Sequence, residues 1–151
     1  MEAHSKKPSR TVLQDVRSIA VVGVSTKTTK FGVAAFRELK KHGYEVYPVH
    51  PSMDRLDDVK CYRSVADLPL TPDCVFVSIK PDAAIEVVKQ AAAKGVRRIW
   101  FQHGADFSEA ADEARQAGLD VVSGRCILMY AEPVSGIHSF HRFFSKLFGK
   151  Y

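Results

Sequence analysis

Cysteine is scarce in this chain. Cys61, Cys74 and Cys126 are the only three in 151 residues, and they form no CxxC pair and no metal-ligand spacing. An odd number of widely spaced thiols argues against a disulfide framework and for a reducing, cytoplasmic setting. Long apolar runs are missing as well. None approaches the ~18 residues of a membrane helix, so no membrane span is expected. Residues 1–17 lack the apolar core of a secretory signal and read as a polar lead-in. Aromatic residues do not alternate with basic ones, as a single-strand nucleic-acid platform requires, so no nucleic acid is expected as a partner. The charge surplus is mild. Lys plus Arg number 22 against 17 acids, a net +5, which favours phosphate-bearing small molecules without indicating a polyanion.

What is present is alternation. Ser18 to Val24 is a short apolar run that ends on glycine and a Ser/Thr/Lys-rich turn, the pattern of a strand buried on both faces. Val33, Phe36 and Leu39 follow at helical spacing, with Gly43 placed to stop that helix. Tyr44 to Val49 reads as a second strand. Residues 52–72 form an irregular, Asp- and Pro-marked excursion with one short edge strand near Val59 to Cys61. Cys74 to Ile79 is the third strong strand. Pro81 suits the first position of the next helix, Asp82 its positive end, and Gly95 its stop. Arg98 to Phe101 is a fourth strand. Ser108 is placed to cap a third helix that ends at Gly118, and Leu119 to Val122 is a fifth strand. Strands alternating with helices of about ten residues imply right-handed βαβ units. The expected fold is therefore α/β: a doubly wound parallel sheet of about five strands, Rossmann-type, in one domain over residues 18–135.

In such folds ligands lie outside the carboxyl ends of the strands. The first turn, from Gly23 to Gly32, offers a glycine for close backbone approach to a ligand, and hydroxyls and N–H groups for an anion at the following helix start. It is not GxGxxG, because Ser25 stands where the second glycine belongs, and it is not a GxxxxGK[ST] loop. After the second strand, Pro48 to Ser52 carries no carboxylate. An NAD-binding unit places an acid there for the ribose hydroxyls, so a ligand with a ribose phosphate, NADP or coenzyme A, fits better. Lys27, Lys30, Lys80, Arg98 and Arg125 are candidates for a basic rim around that ligand. His103 follows a strand, but no carboxylate stands beside it in sequence, so it reads as a ligand-lining residue rather than a base. His50 reads as a loop residue, and Cys126 as a buried, inert thiol.

The runs IAVVGVS, YPVHP, CYRSVADLP, VFVSIKP, RRIWFQHGA and AGLDVVSGRCILMY occur in order. With them the chain, over roughly Val12 to Met129, resembles the stand-alone CoA-binding-domain proteins. These are similar to the amino-terminal CoA-binding domain of the succinyl-CoA synthetase alpha subunit. The resemblance implies a coenzyme A or acyl-CoA ligand. It places phosphate contacts at Val24, Ser25, Thr26 and Lys27, beside the candidate Gly23, and nucleotide contacts at Pro51, Ser52 and Met53. The adenine side falls at Ile79, Lys80 and Pro81, and the pantetheine side at Gln102, His103 and Gly104. Where the synthetase carries a lysine, this chain has Met53. Where it carries Thr-Glu-Gly, Gln102-His103 matches the stand-alone proteins. The synthetase's second domain, with its phosphorylated histidine, does not fit in 151 residues. The resemblance therefore implies binding without ligase chemistry, and no catalytic or metal residues are assigned. The alternatives are an NADP-dependent reductase and a nucleotide-sensing interaction protein.

Ile137, Phe140, Phe144, Leu147, Phe148 and Tyr151 recur at spacings of three and four, so on a helix they form one apolar stripe. A helix over residues 136–151 is expected to pack on the domain's own sheet, with dimer pairing and membrane contact as lesser alternatives. The expected assembly is a monomer or weak homodimer.

Overall fold

The computed structural model of the chain describes residues 13, 15–27 and 30–129. The segment 136–151, expected to be a docking helix, lies outside them.

Five parallel strands form the main sheet: β1 (Ser18–Val22), β2 (Glu45–Val49), β5 (Cys74–Val77), β6 (Arg98–Gln102) and β7 (Asp120–Arg125). Their spatial order is β2-β1-β5-β6-β7. The chain starts in the middle, winds outward to β2, then returns past β1 to build the other side. The direction of winding reverses between β1 and β5, and this switch point is where open α/β sheets leave a crevice. Helices make three of the four crossovers: α1 (Phe31–Lys41) between β1 and β2, α2 (Pro81–Lys94) between β5 and β6, and α3 (Ser108–Gln116) between β6 and β7.

The strands are apolar on both faces because both faces are covered. Side chains alternate across a strand, and two cores result. Ile19 and Val21 of β1, Phe76 of β5 and Trp100 of β6 pack with Val33, Phe36 and Leu39 of α1. Their neighbours Ala20, Val22, Val75, Val77, Ile99 and Phe101 face Ala84, Val88 and Ala91 of α2 and the alanines of α3. Alanine on those helices lets them lie close to the sheet. Leu13 and Val16 of the lead-in are buried in the α1-side core, as are Ile127 and Leu128 beyond β7. Trp100, fully buried, donates its indole N–H to the Arg125 carbonyl at 2.9 Å. That bond spans the irregularity where β7 shifts register against β6.

Several local expectations need adjustment. The first and third strands stop at Val22 and Val77, short of Val24 and Ile79. The excursion after β2 is a small antiparallel hairpin, β3 (Arg55–Leu56) with β4 (Val59–Lys60), separate from the main sheet. Asp57 turns it with φ of +56°, a conformation Asp tolerates because its short side chain bonds locally. Arg37 of α1 donates to the Asp57 carboxylate through Nε at 3.0 Å and Nη2 at 2.8 Å. Ser108 does not cap α3. It is the first helical residue, and the Asp106 carboxylate accepts from its backbone N–H at 3.0 Å and from its hydroxyl. Pro81 at the first position of α2 and left-handed Gly95 at its end stand as the sequence indicates.

Candidate functional site

Four strand ends, those of β1, β2, β5 and β6, and the loops after them enclose a cleft of about 1020 Å³. That is the upper end of the ~300–1,000 Å³ typical of small-molecule sites, room for an extended nucleotide rather than a small metabolite. It lies at the β1–β5 switch point.

Its floor is a backbone junction. Gly23 has φ of +122°, and a Cβ there would stand 2.7 Å from the Ser78 carbonyl carbon and closer still to its oxygen. The glycine is therefore needed for packing against the β5 turn. Gly32, at the start of α1, makes the same contact in turn: a Cβ would lie 2.6 Å from the Gly23 carbonyl carbon. The two glycines stack the α1 start on the β1 turn, and that turn on the β5 turn. Three walls of the cleft are thereby fixed relative to one another.

Ten of the fourteen residues expected at the site line this cleft: Gly23, Val24 and Ser25 from the first turn, Pro51 from the second, Ile79, Lys80 and Pro81 from the third, and Gln102, His103 and Gly104 from the fourth. Thr26 and Lys27 are exposed and lie outside the lining, as does Ser52. Met53 is turned instead toward the α1-side core. The basic rim is also smaller than expected. Lys30 and Lys80 line the cleft. Arg98 stands at the amino end of β6 and pairs with Asp15 at 3.1 Å, at the opposite end of the strands from the cleft. Its guanidinium holds the Asp15 carboxyl below the usual carboxylate range. Arg125 ends the edge strand β7 and does not line the cleft.

The structure adds residues that strand-end reasoning misses. Arg63, Ser64 and Val65 reach the cleft because Tyr62 bridges to Val49 and so zips the chain after the hairpin onto the end of β2. Glu86, Val87 and Gln90 come from the second and third turns of α2. Only a helical projection of α2 onto the cleft could have found them. Among the described lining residues Glu86 is the sole carboxylate, against Lys30, Arg63 and Lys80. The first turn of α1 contains no acid, so its positive end keeps its attraction for an anion.

Gln102 is 7% exposed, and its Oε1 has no hydrogen-bond partner among the described residues. A buried acceptor without a partner costs about 1–3 kcal/mol. A donor brought by a ligand would recover that cost. The cysteines stand away from this chemistry. All three are buried thiols, and burial pushes Cys74 up to about 12. Among the described residues no cluster of His, Cys, Asp and Glu could hold a metal, and no helix is long and apolar enough to cross a membrane.

Residues 17–132 match the family described as the CoA binding domain. Among curated proteins, the trans-feruloyl-CoA synthase of an unknown prokaryotic organism is 31% identical over 109 residues, 71% of this chain and 15% of that protein. The ADP-forming acetate–CoA ligase II of Archaeoglobus fulgidus is 32% identical over 83 residues, 54% of this chain and 12% of that protein. The chain thus spans less than a sixth of the length of these two relatives. Among solved structures, a hypothetical protein from Pyrococcus horikoshii OT3 superposes with a TM-score of 0.76 at 37% identity, over 80% of this chain and 85% of that one.

Proposed function

This chain belongs to the CoA-binding domain family, and on that premise we propose that its cleft binds coenzyme A or an acyl-CoA as a reversible ligand, without ligase chemistry of its own. The observation that carries the reading is the charge of the lining. Three cations face one carboxylate, and that carboxylate lies on α2 rather than at the end of β2. A ligand with a pyrophosphate and a further phosphate on its ribose suits such a surface. A ligand whose ribose hydroxyls seek an acid after β2 does not.

The residues divide the work. Ser25, Lys30 and the acid-free start of α1 suit the pyrophosphate. Lys80 supplies a second cation at the third turn. The apolar wall of Ile79, Val65 and Val87 suits a base or an alkyl chain. Gln102 Oε1 is an acceptor in want of a donor, and the amide N–H groups of a pantetheine arm are donors. Binding removes the penalty of that buried oxygen, so the site favours a ligand with an amide over one with a hydrocarbon at this depth.

Incubating the protein with equimolar coenzyme A, acetyl-CoA, NADPH, NADH and ATP, then desalting it and identifying the retained species by mass spectrometry, tests the reading. Coenzyme A or its thioester is expected to remain bound. Retention of NADPH to the exclusion of both would move the protein to the reductase class.

A further inference from the structure

Two helices that flank the cleft each begin at a lysine. Helix starts favour Ser, Thr, Asp or Asn, whose side chains accept from the free N–H groups of the first turn. Here Lys30 is the N-cap of α1 and Lys80 the N-cap of α2, and neither side chain makes a capping bond. Both line the cleft. Among the described residues neither ammonium has a hydrogen-bond or ion-pair partner. Other lysines are engaged: Lys40 with Asp58 at 3.2 Å, Lys94 with the Ala66 carbonyl at 3.4 Å, and Lys60 over the Tyr62 ring at 5.3 Å. Pro81 holds Lys80 in extended backbone, at φ of −63° and ψ of 141°, so its side chain leaves from a fixed point. β5 pairs directly with β6, Val77 beside Phe101. The turn bearing Lys80 is therefore one strand spacing, about 5 Å, from the turn bearing Gln102. Lys30 follows β1, one strand further away.

We propose that Lys80 is a self-acylation site: an acyl-CoA held in the cleft transfers its acyl group to the Lys80 ε-amine. The proposal rests on the reading of the cleft as an acyl-CoA site and adds a covalent outcome to it. Gln102 Oε1, buried and unpartnered, suits the amide N–H groups of the pantetheine arm, and the thioester ends that arm. A lysine on the neighbouring strand end is then the nucleophile within reach. The ammonium first gives a proton to solvent. The lone pair of the neutral amine attacks the thioester carbonyl carbon and forms the C–N bond. The C–S bond breaks, its electron pair stays on sulfur, and one proton of the nitrogen passes to that thiolate. The products are an Nε-acyl-lysine, free coenzyme A and one proton, with nothing oxidised or reduced. Holding both reactants in one cleft makes the step unimolecular, an advantage that a lysine elsewhere on the surface lacks. Acylation also removes the charge of Lys80, leaving Lys30 and Arg63 as the lining cations among the described residues. The modified cleft is then a weaker anion site.

Peptide mass spectrometry on the full chain, after timed incubation with acetyl-CoA, tests the proposal. Lys41 and Lys89 are the internal controls, exposed and equally without partners among the described residues but outside the cleft. Lys80 should acetylate at least about tenfold faster than either. Excess desulfo-CoA, which fills the same site without a thioester, should reduce it to their rate. N-hydroxysuccinimidyl acetate, an acyl donor with no nucleotide, should show no such preference. Equal rates at the three lysines with acetyl-CoA would overturn the proposal. So would a Lys80 preference that persists with N-hydroxysuccinimidyl acetate, because the lysine would then be reactive without the cleft's ligand. Faster labelling of Lys30 than of Lys80 would overturn the assignment of the nucleophile. Calorimetry with desulfo-CoA on the same preparation separates this proposal from the function itself. Saturable binding without selective acetylation would overturn the acylation and leave the coenzyme A reading intact, whereas an absence of binding would overturn both.

Discussion

Replacing Gly32 by alanine sets two effects of opposite sign against each other. Gly32 is the second residue of α1, and its φ lies outside the left-handed region. On helix propensity alone alanine should stabilise by roughly 1 kcal/mol. Packing says the reverse. The new Cβ would lie 2.6 Å from the Gly23 carbonyl carbon and 3.2 Å from the Val24 nitrogen. Both are backbone atoms, and Gly23 is itself pressed against the Ser78 carbonyl, so the strain cannot be relieved by a side-chain rotation. Overpacking of a rigid region costs typically about 1–3 kcal/mol, and three elements would have to part here. We expect the clash to win by about 1–2 kcal/mol, or about 2–8 °C in Tm for a domain of this size. Gly95→Ala is the control. It has φ of +85° with nothing near its Cβ position, so it reports left-handed strain alone, about 1–2 kcal/mol. Thermal and urea unfolding give the stabilities, and calorimetry gives the coenzyme A affinity. Gly32→Ala should also weaken ligand binding, because the α1 start moves away from the β5 turn. Gly95→Ala should leave binding unchanged. A Gly32→Ala protein as stable as the wild type, or more so, would refute the stacked-backbone account of the cleft floor.

Lys80→Glu should weaken coenzyme A binding by about 1–3 kcal/mol, and the wild-type affinity should fall as salt rises because exposed charges are screened. Calorimetry at two ionic strengths checks both, and an unchanged affinity in the variant removes Lys80 from the site. Gln102→Met should cost affinity for ligands with a pantetheine arm but not for adenosine diphosphate; equal effects on both would detach Gln102 from the arm. Asp57→Asn tests the Arg37 pair, whose hydrogen bonds hold the Asp57 carboxyl below its ordinary value. A depressed carboxyl stabilises the fold above its unfolded pKa and loses that contribution as pH falls through the folded one. The variant should therefore be less stable than the wild type by about 0.2–1 kcal/mol at pH 7, with exposure of both partners keeping the value low. Urea melts should show the difference shrinking as pH falls below the ordinary Asp value of about 3.9; a difference that grows in acid contradicts the pairing. The thiols should resist a water-soluble disulfide reagent in the native state, since all three are buried and Cys74 is pushed up to about 12. Rapid native labelling of Cys74 would contradict its packing. Ring nitrogen-15 spectra should show His50 as the Nε2–H tautomer, because its Nδ1 accepts from the Ser52 and Met53 N–H groups; an Nδ1–H pattern would contradict those bonds.

Strand-end reasoning found most of the cleft because the sheet's periodicity is plain in the chain. Runs such as Cys74 to Val77 and Arg98 to Phe101 have no polar alternation, and that alone places them in a parallel sheet covered on both sides. The turns after such strands must then face the crevice. What the sequence conceals is contact made across the topology. Arg63 enters the site because Tyr62 bridges to Val49, a pairing no local pattern announces. Glu86 and Gln90 depend on the rotation of α2 about its axis. Arg98 is basic and adjacent to a strand, yet it sits at the strand's amino end, where Asp15 of the lead-in meets it. Gly23 is legible as a glycine that something must approach closely, but only the folded chain reveals that its neighbour is the Ser78 carbonyl. The family resemblance, read over Val12 to Met129, coincides closely with the matched residues 17–132. It carried Thr26, Lys27, Ser52 and Met53 into the site by position, whereas loop conformation decides which side chains of a turn face inward.

The central claim is that the cleft at the β1–β5 switch point takes coenzyme A rather than a nicotinamide dinucleotide. Direct titration of the ligand-stripped protein with coenzyme A and with NADH, at one salt concentration, tests it most simply. The account predicts saturable one-to-one binding of coenzyme A that weakens in Lys80→Glu, and little or no heat with NADH. Tighter binding of NADH than of coenzyme A would contradict it.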